Sequence, residues 1–190
     1  MRRPLSLLFL AFLFSSTARA GLIIDQNLFY FSNSVKTGGT DSYQQGHASI
    51  SIGASIPKIY FLGWKSTYFS ESQTSPPGTM TAHGLEMGPR FGVFIGKARN
   101  FSFSTTYLPV NTANYKSPAG VSSTLSGTAF QFELAFAPEI SKYLNPGFSL
   151  LYHLGSYSTS TDSSNTSSTV SYSRNGFRPS VYLHWKFGSE

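Results

Sequence analysis

Residues 47–56 read His-Ala-Ser-Ile-Ser-Ile-Gly-Ala-Ser-Ile, and this stretch decides the fold. Every second residue from Ala48 to Ile56 is apolar, and the residues between them are small or polar. Because successive side chains of a β-strand point to opposite faces, this alternation predicts a strand with one apolar and one polar face.

The same period of two recurs along the chain and predicts seven more strands. They are Asn27–Ser34, Tyr60–Tyr68, Gly84–Ile95, Phe101–Tyr107, Thr128–Phe136, Phe148–Gly155 and Gly176–Phe187. Strands of about 9 to 11 residues cross a bilayer when tilted, and bacterial single-chain barrels have an even number of strands. The pattern therefore predicts an all-β fold, an eight-stranded antiparallel up-and-down transmembrane β-barrel.

The connections between these segments differ in length. Pro57-Lys58 and the segment from Gly96 to Asn100 are short, and Ala137–Gly147 is a mid-length exception on the same side. The remaining connections are longer and polar, and we expect loops at Val35–Ser42, Glu71–Thr79, Pro109–Leu125 and Tyr157–Ser171. The last of these is nearly pure Ser and Thr, which predicts a mobile loop. Short turns at one end and long loops at the other are typical of outer-membrane topology.

The first twenty residues have the organisation of a secretory signal peptide. A basic start, an apolar run from Leu5 to Phe14 and a small-x-small site at Ala18-Arg19-Ala20 predict cleavage after Ala20. Residues 21–190 are then a single exported domain, which the barrel prediction places in the bacterial outer membrane.

Composition excludes several classes of protein. Without Arg2, Arg3 and Arg19 the chain has 11 Lys and Arg against 8 Asp and Glu, a formal charge of +3. This small excess, with no basic run, does not indicate nucleic-acid binding. The chain has no cysteine, so disulfide scaffolds, thiol catalysis and lipidation are excluded. Only 12% of residues are charged, about half the usual share, which indicates that something other than water covers part of the surface.

Alternation alone does not say which face is inside, and a soluble lipocalin-like ligand binder would place the apolar face inward. Two features favour the membrane barrel. The apolar face carries bulky aromatic residues near strand ends, as an aromatic girdle does, and the opposite face is mainly Gly, Ser and Thr, which suits a narrow interior.

The mature chain resembles the small outer-membrane β-barrel family, the OmpA- and OmpX-type eight-stranded domains. The resemblance is most specific at the end of the chain, where an alternating pattern is similar to the family's C-terminal recognition signal; its residues are Val181, Leu183, Trp185 and Phe187. The resemblance implies recognition by the barrel-assembly machinery and contact with outer-membrane lipid and lipopolysaccharide. The family usually ends on the aromatic residue, whereas Gly188-Ser189-Glu190 follow Phe187 here.

Charged residues on the polar face predict ion pairs in the lumen, because a charge in a narrow barrel is costly without a partner. The candidates are Lys65, Glu86, Arg90, Glu133 and Arg178, with Arg174 and Lys186 as further possibilities. We expect Glu86 and Glu133 to pair with Arg90, Arg178 or Lys65. Such pairs form either a fixed polar plug or, as is proposed for relatives, a gate that opens a small channel.

We expect no catalytic, cofactor or metal site. His47-Ala48-Ser49 superficially resembles the His-x-Ser pair of lipid A deacylases, but Ile50 stands where that family has Asn. His153 and His184 face the lumen on neighbouring strands and could meet, but without a carboxylate partner they are a weak site. The sequence thus favours a non-enzymatic outer-membrane protein with a structural or surface-interaction role through its loops. A small gated channel and a lipid A-modifying enzyme are the alternatives.

Overall fold

The computed structural model describes residues 21–36, 40–56, 59–76, 78–96 and 98–188. The predicted signal peptide and its cleavage site lie outside the described residues, and so do Pro57 and Lys58 of one predicted turn. No helix long and apolar enough to cross a membrane occurs in the described part of the chain.

The chain forms one closed antiparallel sheet in which each strand pairs with the next and the last pairs with the first. The strands are β1 (Gly21–Lys36), β2 (Thr40–Ile56), β3 (Tyr60–Ser75), β4 (Gly78–Ile95), β5 (Phe101–Lys116), β6 (Ser122–Phe136), β7 (Leu144–Asp162) and β8 (Ser167–Phe187). The predicted eight-stranded up-and-down barrel is confirmed.

The polar face of each strand lies inside the barrel and the apolar face lies outside. On β2, His47, Ser49 and Ser51 are buried, whereas Ile50 is 43% exposed and Ile52 is 52% exposed. This arrangement is the reverse of a soluble barrel, so the lipocalin-like alternative is wrong about the direction of the faces.

The outward apolar residues form a continuous band around the barrel. On β1 the band runs from Leu22 to Tyr30, and on β8 it runs from Phe187 to Phe177. At about 3.3 Å per residue and a tilt of about 40°, roughly ten residues rise about 25 Å. That height matches the apolar band of transmembrane barrels.

Most residues of the segments predicted as long polar loops belong to strands, so the prediction of long loops was wrong. Every connection at the end of the barrel near Lys36 is short, and the flanking strands continue as hairpins well past the apolar band. The predicted mobile loop of Ser and Thr residues contains only one turn, 163–166, between paired strands. The two-residue period is hard to see in these hairpins because Ser, Thr and Tyr, which still suit strands, occur on both faces, although Ala113, Leu125 and Tyr157 are buried on the inner face. We call this the hairpin end and the opposite end the turn end.

Asp162 organises the turn between β7 and β8. Its Oδ1 atom accepts hydrogen bonds from the backbone N–H of Ser164 (2.9 Å), the Ser164 hydroxyl (2.7 Å) and the backbone N–H of Thr166 (2.9 Å). Donation by Ser164 and by the Thr166 backbone lowers the pKa of the Asp162 carboxyl below its usual value, because these bonds favour the ionised form. The next residue in the turn, Asn165, takes a positive φ of 62°, a conformation that Asn tolerates better than most residues.

The seam between β1 and β8 is shorter than the others. Only seven residue pairs join these strands, from Leu22–Phe187 to Leu28–Val181. The last paired residue of β8, Val181, comes two residues after Pro179 in the sequence. Proline has no backbone N–H to donate and suits the edge of a sheet. Beyond Leu28 the hairpins of β1–β2 and β7–β8 separate and expose side chains on both faces.

Candidate functional site

Among the described residues, eight charged side chains form two groups of ion pairs in the lumen, and these are the candidate site. The turn-side cluster consists of Asp25, Lys65, Arg90 and Glu133. The hairpin-side cluster consists of Glu71, Glu86, Arg174 and Arg178. Each cluster has two carboxylates and two cations, so each is formally neutral. Nearly all of these side chains are buried, which makes pairing necessary.

Glu133 is the centre of the turn-side cluster. Lys65 Nζ lies 2.9 Å and Arg90 Nη2 lies 3.3 Å from Glu133 Oε2, and Asn27 donates to Glu133 Oε1 at 2.6 Å. These groups come from β1, β3, β4 and β6, so four strands meet at one carboxylate.

Arg90 joins Glu133 to Asp25 across the lumen. Its guanidinium donates to Asp25 Oδ2, to the Ser51 hydroxyl, and to the Ser104 hydroxyl at 3.0 Å. The other oxygen of Asp25, Oδ1, contacts Nδ1 of His184. Both oxygens of the carboxylate are thus engaged, and Asp25 links the first strand to the last.

Glu86 and Glu71 hold the hairpin-side cluster together. Glu86 Oε1 lies 3.0 Å from Arg174 Nη1 and 2.9 Å from His153 Nε2, and Gln131 donates to Glu86 Oε2 at 3.1 Å. Glu71 accepts from Arg174 Nε. The cluster connects β3, β4, β6, β7 and β8.

Arg178 is the most loosely held of the four cations. Its Nη2 atom lies 3.9 Å from Glu71 Oε1, and its Nη1 atom lies 3.5 Å from His47 Nδ1. The buried Nε atom of Arg178 and the buried Nε2 atom of His47 have no partner among the described residues. Buried groups of this kind usually bind ordered water.

An aromatic ring supports one arginine in each cluster. Arg90 stacks 4.9 Å from the ring centroid of Phe61, and Arg174 stacks 3.5 Å from that of Phe69. A glycine on β4 makes room for each ring, because a Cβ on Gly92 would stand 2.1 Å from Phe61 Cζ. Gly84 makes the same room for Phe69. The small residues of the polar face are therefore sites of close packing around charged groups.

The five sequence-predicted residues fall into both clusters. Lys65, Arg90 and Glu133 contact one another as described above, and Glu86 and Arg178 lie in the hairpin-side cluster. Glu86 pairs with Arg174 and His153 rather than with the predicted partners. Lys186, a further candidate, lies at the turn end and faces Glu139 at 3.7 Å on a partly exposed surface.

Asp25 and Glu71 were not among the predicted lumen charges. Asp25 precedes the segment predicted as the first strand, and Glu71 was placed in a loop. The alternation of faces along a strand would have placed both side chains inside the barrel. Asp25 lies two residues before Asn27, and Glu71 lies two residues after Phe69, on the same inward-facing rows.

His153 and His184 lie in different clusters and each contacts a carboxylate, so the expectation that they could meet without one was wrong. The described residues contain no group of three or more His, Asp or Glu that could hold a metal ion. His47 and Ser49 are buried in the lumen.

The architecture of this chain is similar to that of proteins of known structure. No family model matches the chain, and none of the curated proteins matches its sequence. The crystal structure of Neisserial surface protein A is similar over 88% of this chain and 97% of that chain, with a TM-score of 0.50 and 14% identity. The outer membrane protein OprG from Pseudomonas aeruginosa gives a TM-score of 0.48 and 7% identity, over 90% of this chain and 97% of that chain. The chain therefore has the fold of the small eight-stranded outer-membrane β-barrel proteins.

Proposed function

We propose that the protein is a non-enzymatic outer-membrane β-barrel, exported and cleaved after Ala20, whose lumen is closed by the two ion-pair clusters. The observation that carries the proposal is the inverted distribution of side chains, with an apolar band outside and neutral polar clusters inside. An apolar outer surface is stable in contact with hydrocarbon, whereas its exposure to water costs free energy.

Aromatic residues at both edges of the band support insertion in a bilayer. Tyr60 and Phe101 are exposed at the turn end, and Tyr30 and Phe177 are exposed towards the hairpin end. Aromatic rings prefer the interface between hydrocarbon and headgroups. The lipid partners are then outer-membrane lipid towards the turn end and lipopolysaccharide around the hairpins.

The last strand supports a role in assembly. Val181, Leu183, Trp185 and Phe187 all lie on the outward face of β8, and the rings of Trp185 and Phe187 stack with centroids 6.4 Å apart. This row is the surface that we propose the barrel-assembly machinery recognises. Truncation after Phe187 tests whether the three following residues affect assembly, measured as the folded fraction in the outer membrane.

The hairpins carry the proposed surface interaction. They extend past the band, and β1 and β8 no longer pair with each other there, so both strands present free edges. Phe31 and Tyr172 add exposed aromatic surface near these edges. Exposed strand edges and aromatic residues are common in protein–protein contacts.

Cell fractionation followed by gels of boiled and unboiled samples tests the proposal. We expect an outer-membrane band that shifts mobility on boiling, because a closed barrel resists detergent until heated. A soluble periplasmic protein without a shift contradicts the membrane location.

A small gated channel is the second candidate, and the loose pairing of Arg178 is the observation that favours it. Eight-stranded barrels have interiors that side chains just fill, which argues for a closed lumen. Planar-bilayer recordings distinguish the two: a plug gives no unitary currents, and a gate gives currents that increase in Arg178→Ala. The lipid A-modifying alternative is less favoured because His47 and Ser49 lie inside the barrel, away from lipid.

A further inference from the structure

Gln26 is an unusual residue on the outward face of β1. It lies in the middle of the apolar band, between Ile24 and Leu28 along its strand. Its lateral neighbours in the sheet are Ile50 on β2 and Leu183 on β8. Among the described residues it is the one side-chain amide in the outward rows of the band, and none of these four neighbours has a side-chain hydrogen-bonding group.

A carboxamide at this depth needs a partner. Hydrocarbon offers no hydrogen bond, so an unpaired amide there carries the full cost of losing water. The nearest outward hydroxyl in the same row is that of Ser66, two strands away and thus on the order of 10 Å distant. The barrel itself therefore leaves Gln26 without a suitable partner on this face.

A groove lies beside Gln26 on the same face. It has a volume of about 480 Å³ and an almost entirely apolar lining that includes Ala48, Tyr68 and Leu85. The small side chain of Ala48, between Leu28 and Tyr68 in one row, makes the depression. Leu28 stands on its rim and is 63% exposed.

We propose that this face, formed by β1, β2 and β3, docks a second copy of the same chain in the membrane. A two-fold axis along the membrane normal keeps every residue at its own depth, so Gln26 of one copy meets Gln26 of the other. The amide is both donor and acceptor, so the pair satisfies itself with two hydrogen bonds. The protruding Leu28 of each copy then packs towards the groove of the other.

A second copy suits this surface better than lipid alone. An acyl chain can fill the groove but offers nothing to the amide, whereas polar side chains at such depths promote association in membranes. The lining has no charged residue, so two identical faces do not repel each other. The inference rests on the proposed membrane location of the barrel.

The absence of cysteine makes the test clean. Ser163→Cys, at the exposed turn of the β7–β8 hairpin, accepts donor and acceptor dyes, and energy transfer in proteoliposomes reports association. We expect Gln26→Leu to require on the order of tenfold more protein per lipid for the same transfer, the scale of one to two weak membrane hydrogen bonds. Thr105→Leu is the control, since Thr105 is an outward polar residue four strands away on β5, and its transfer stays at the wild-type level.

A second measurement uses Gln26→Cys, which we expect to form a disulfide-linked dimer in proteoliposomes, while Thr105→Cys does not. Wild-type barrels that remain monomeric at high protein density, or equal transfer in wild type and Gln26→Leu, overturn the proposal. The boiling shift is recorded on the same samples. A shifting but monomeric barrel refutes the dimer alone, whereas loss of the shift in wild type refutes the membrane barrel itself.

Discussion

Removing the charge of Glu133 is the sharpest test of the lumen clusters. Glu133→Gln keeps the size of the side chain but leaves Lys65 and Arg90 with only Asp25 as a nearby carboxylate, so the turn-side cluster becomes net positive. Breaking a buried ion pair by removing one partner costs about 3–5 kcal/mol, because the remaining charge keeps its desolvation cost. We therefore expect the free energy of unfolding to fall by about 3–5 kcal/mol.

The chain supplies a matched control in Glu139→Gln. Glu139 is 48% exposed and faces Lys186 at 3.7 Å, and exposed pairs contribute only about 0–1 kcal/mol. The assay is urea unfolding in detergent micelles, followed by the fluorescence of Trp64 and Trp185 and by the boiling shift. A compensating second change, Lys65→Met in Glu133→Gln, restores neutrality and should recover part of the loss. If Glu133→Gln is no less stable than Glu139→Gln, the reasoning about a paired lumen is refuted.

Two further changes test packing and the hairpin turn. Gly92→Ala should prevent folding or reduce stability by about 1–3 kcal/mol, because its Cβ would overlap the Phe61 ring. The control Gly46→Ala should fold normally, because its Cβ would meet nothing closer than 3.9 Å. The folded fraction on an unboiled gel compares the two variants. Asp162→Ala should speed amide hydrogen exchange at Thr166, and in the wild type the protection from Asp162 should be present above pH 3.8 and fade as pH falls through the lowered pKa of that carboxyl. Similar exchange in both proteins would mean that the turn does not depend on this carboxylate.

The strands within the band could be predicted from the sequence because one physical asymmetry acts on them. Residues such as Ile50 meet an apolar medium and residues such as Ser51 meet the lumen, so the sequence alternates. The hairpins beyond the band have a polar outer face, and no alternation of apolar and polar residues marks the strand from Ser158 to Asp162. Its pairing comes from the preceding strand register, which a local pattern does not contain.

Ion-pair partners were harder to predict than inward-facing residues. The alternation of faces along β4 places Glu86 inside the barrel. Its pairing with Arg174 instead of Arg178 depends on the stagger of β4 against β8 around the barrel. Bulges also change this stagger, as between Leu108 and Asn111, where two successive residues face outward and Leu108 is fully buried. Sequence alternation says which face a charge occupies, and closure of the barrel decides which charge it meets.

The lumen clusters explain how an alternating chain selects one register. The chain has a mean hydropathy of −0.11 and is not strongly apolar, because many outward apolar residues of the band alternate with inward polar or small residues, as on β2. A slip of one residue in any strand would turn its polar face towards lipid, and a slip of two would move a charge away from its partners. In the turn-side cluster each charge comes from a different strand, namely β1, β3, β4 and β6. No two neighbouring strands bring a carboxylate and a cation of this cluster together, so full pairing is reached only when the sheet curves into the barrel in its native register. Buried ion pairs are weak sources of net stability but they penalise wrong arrangements, and that is the role this geometry supports.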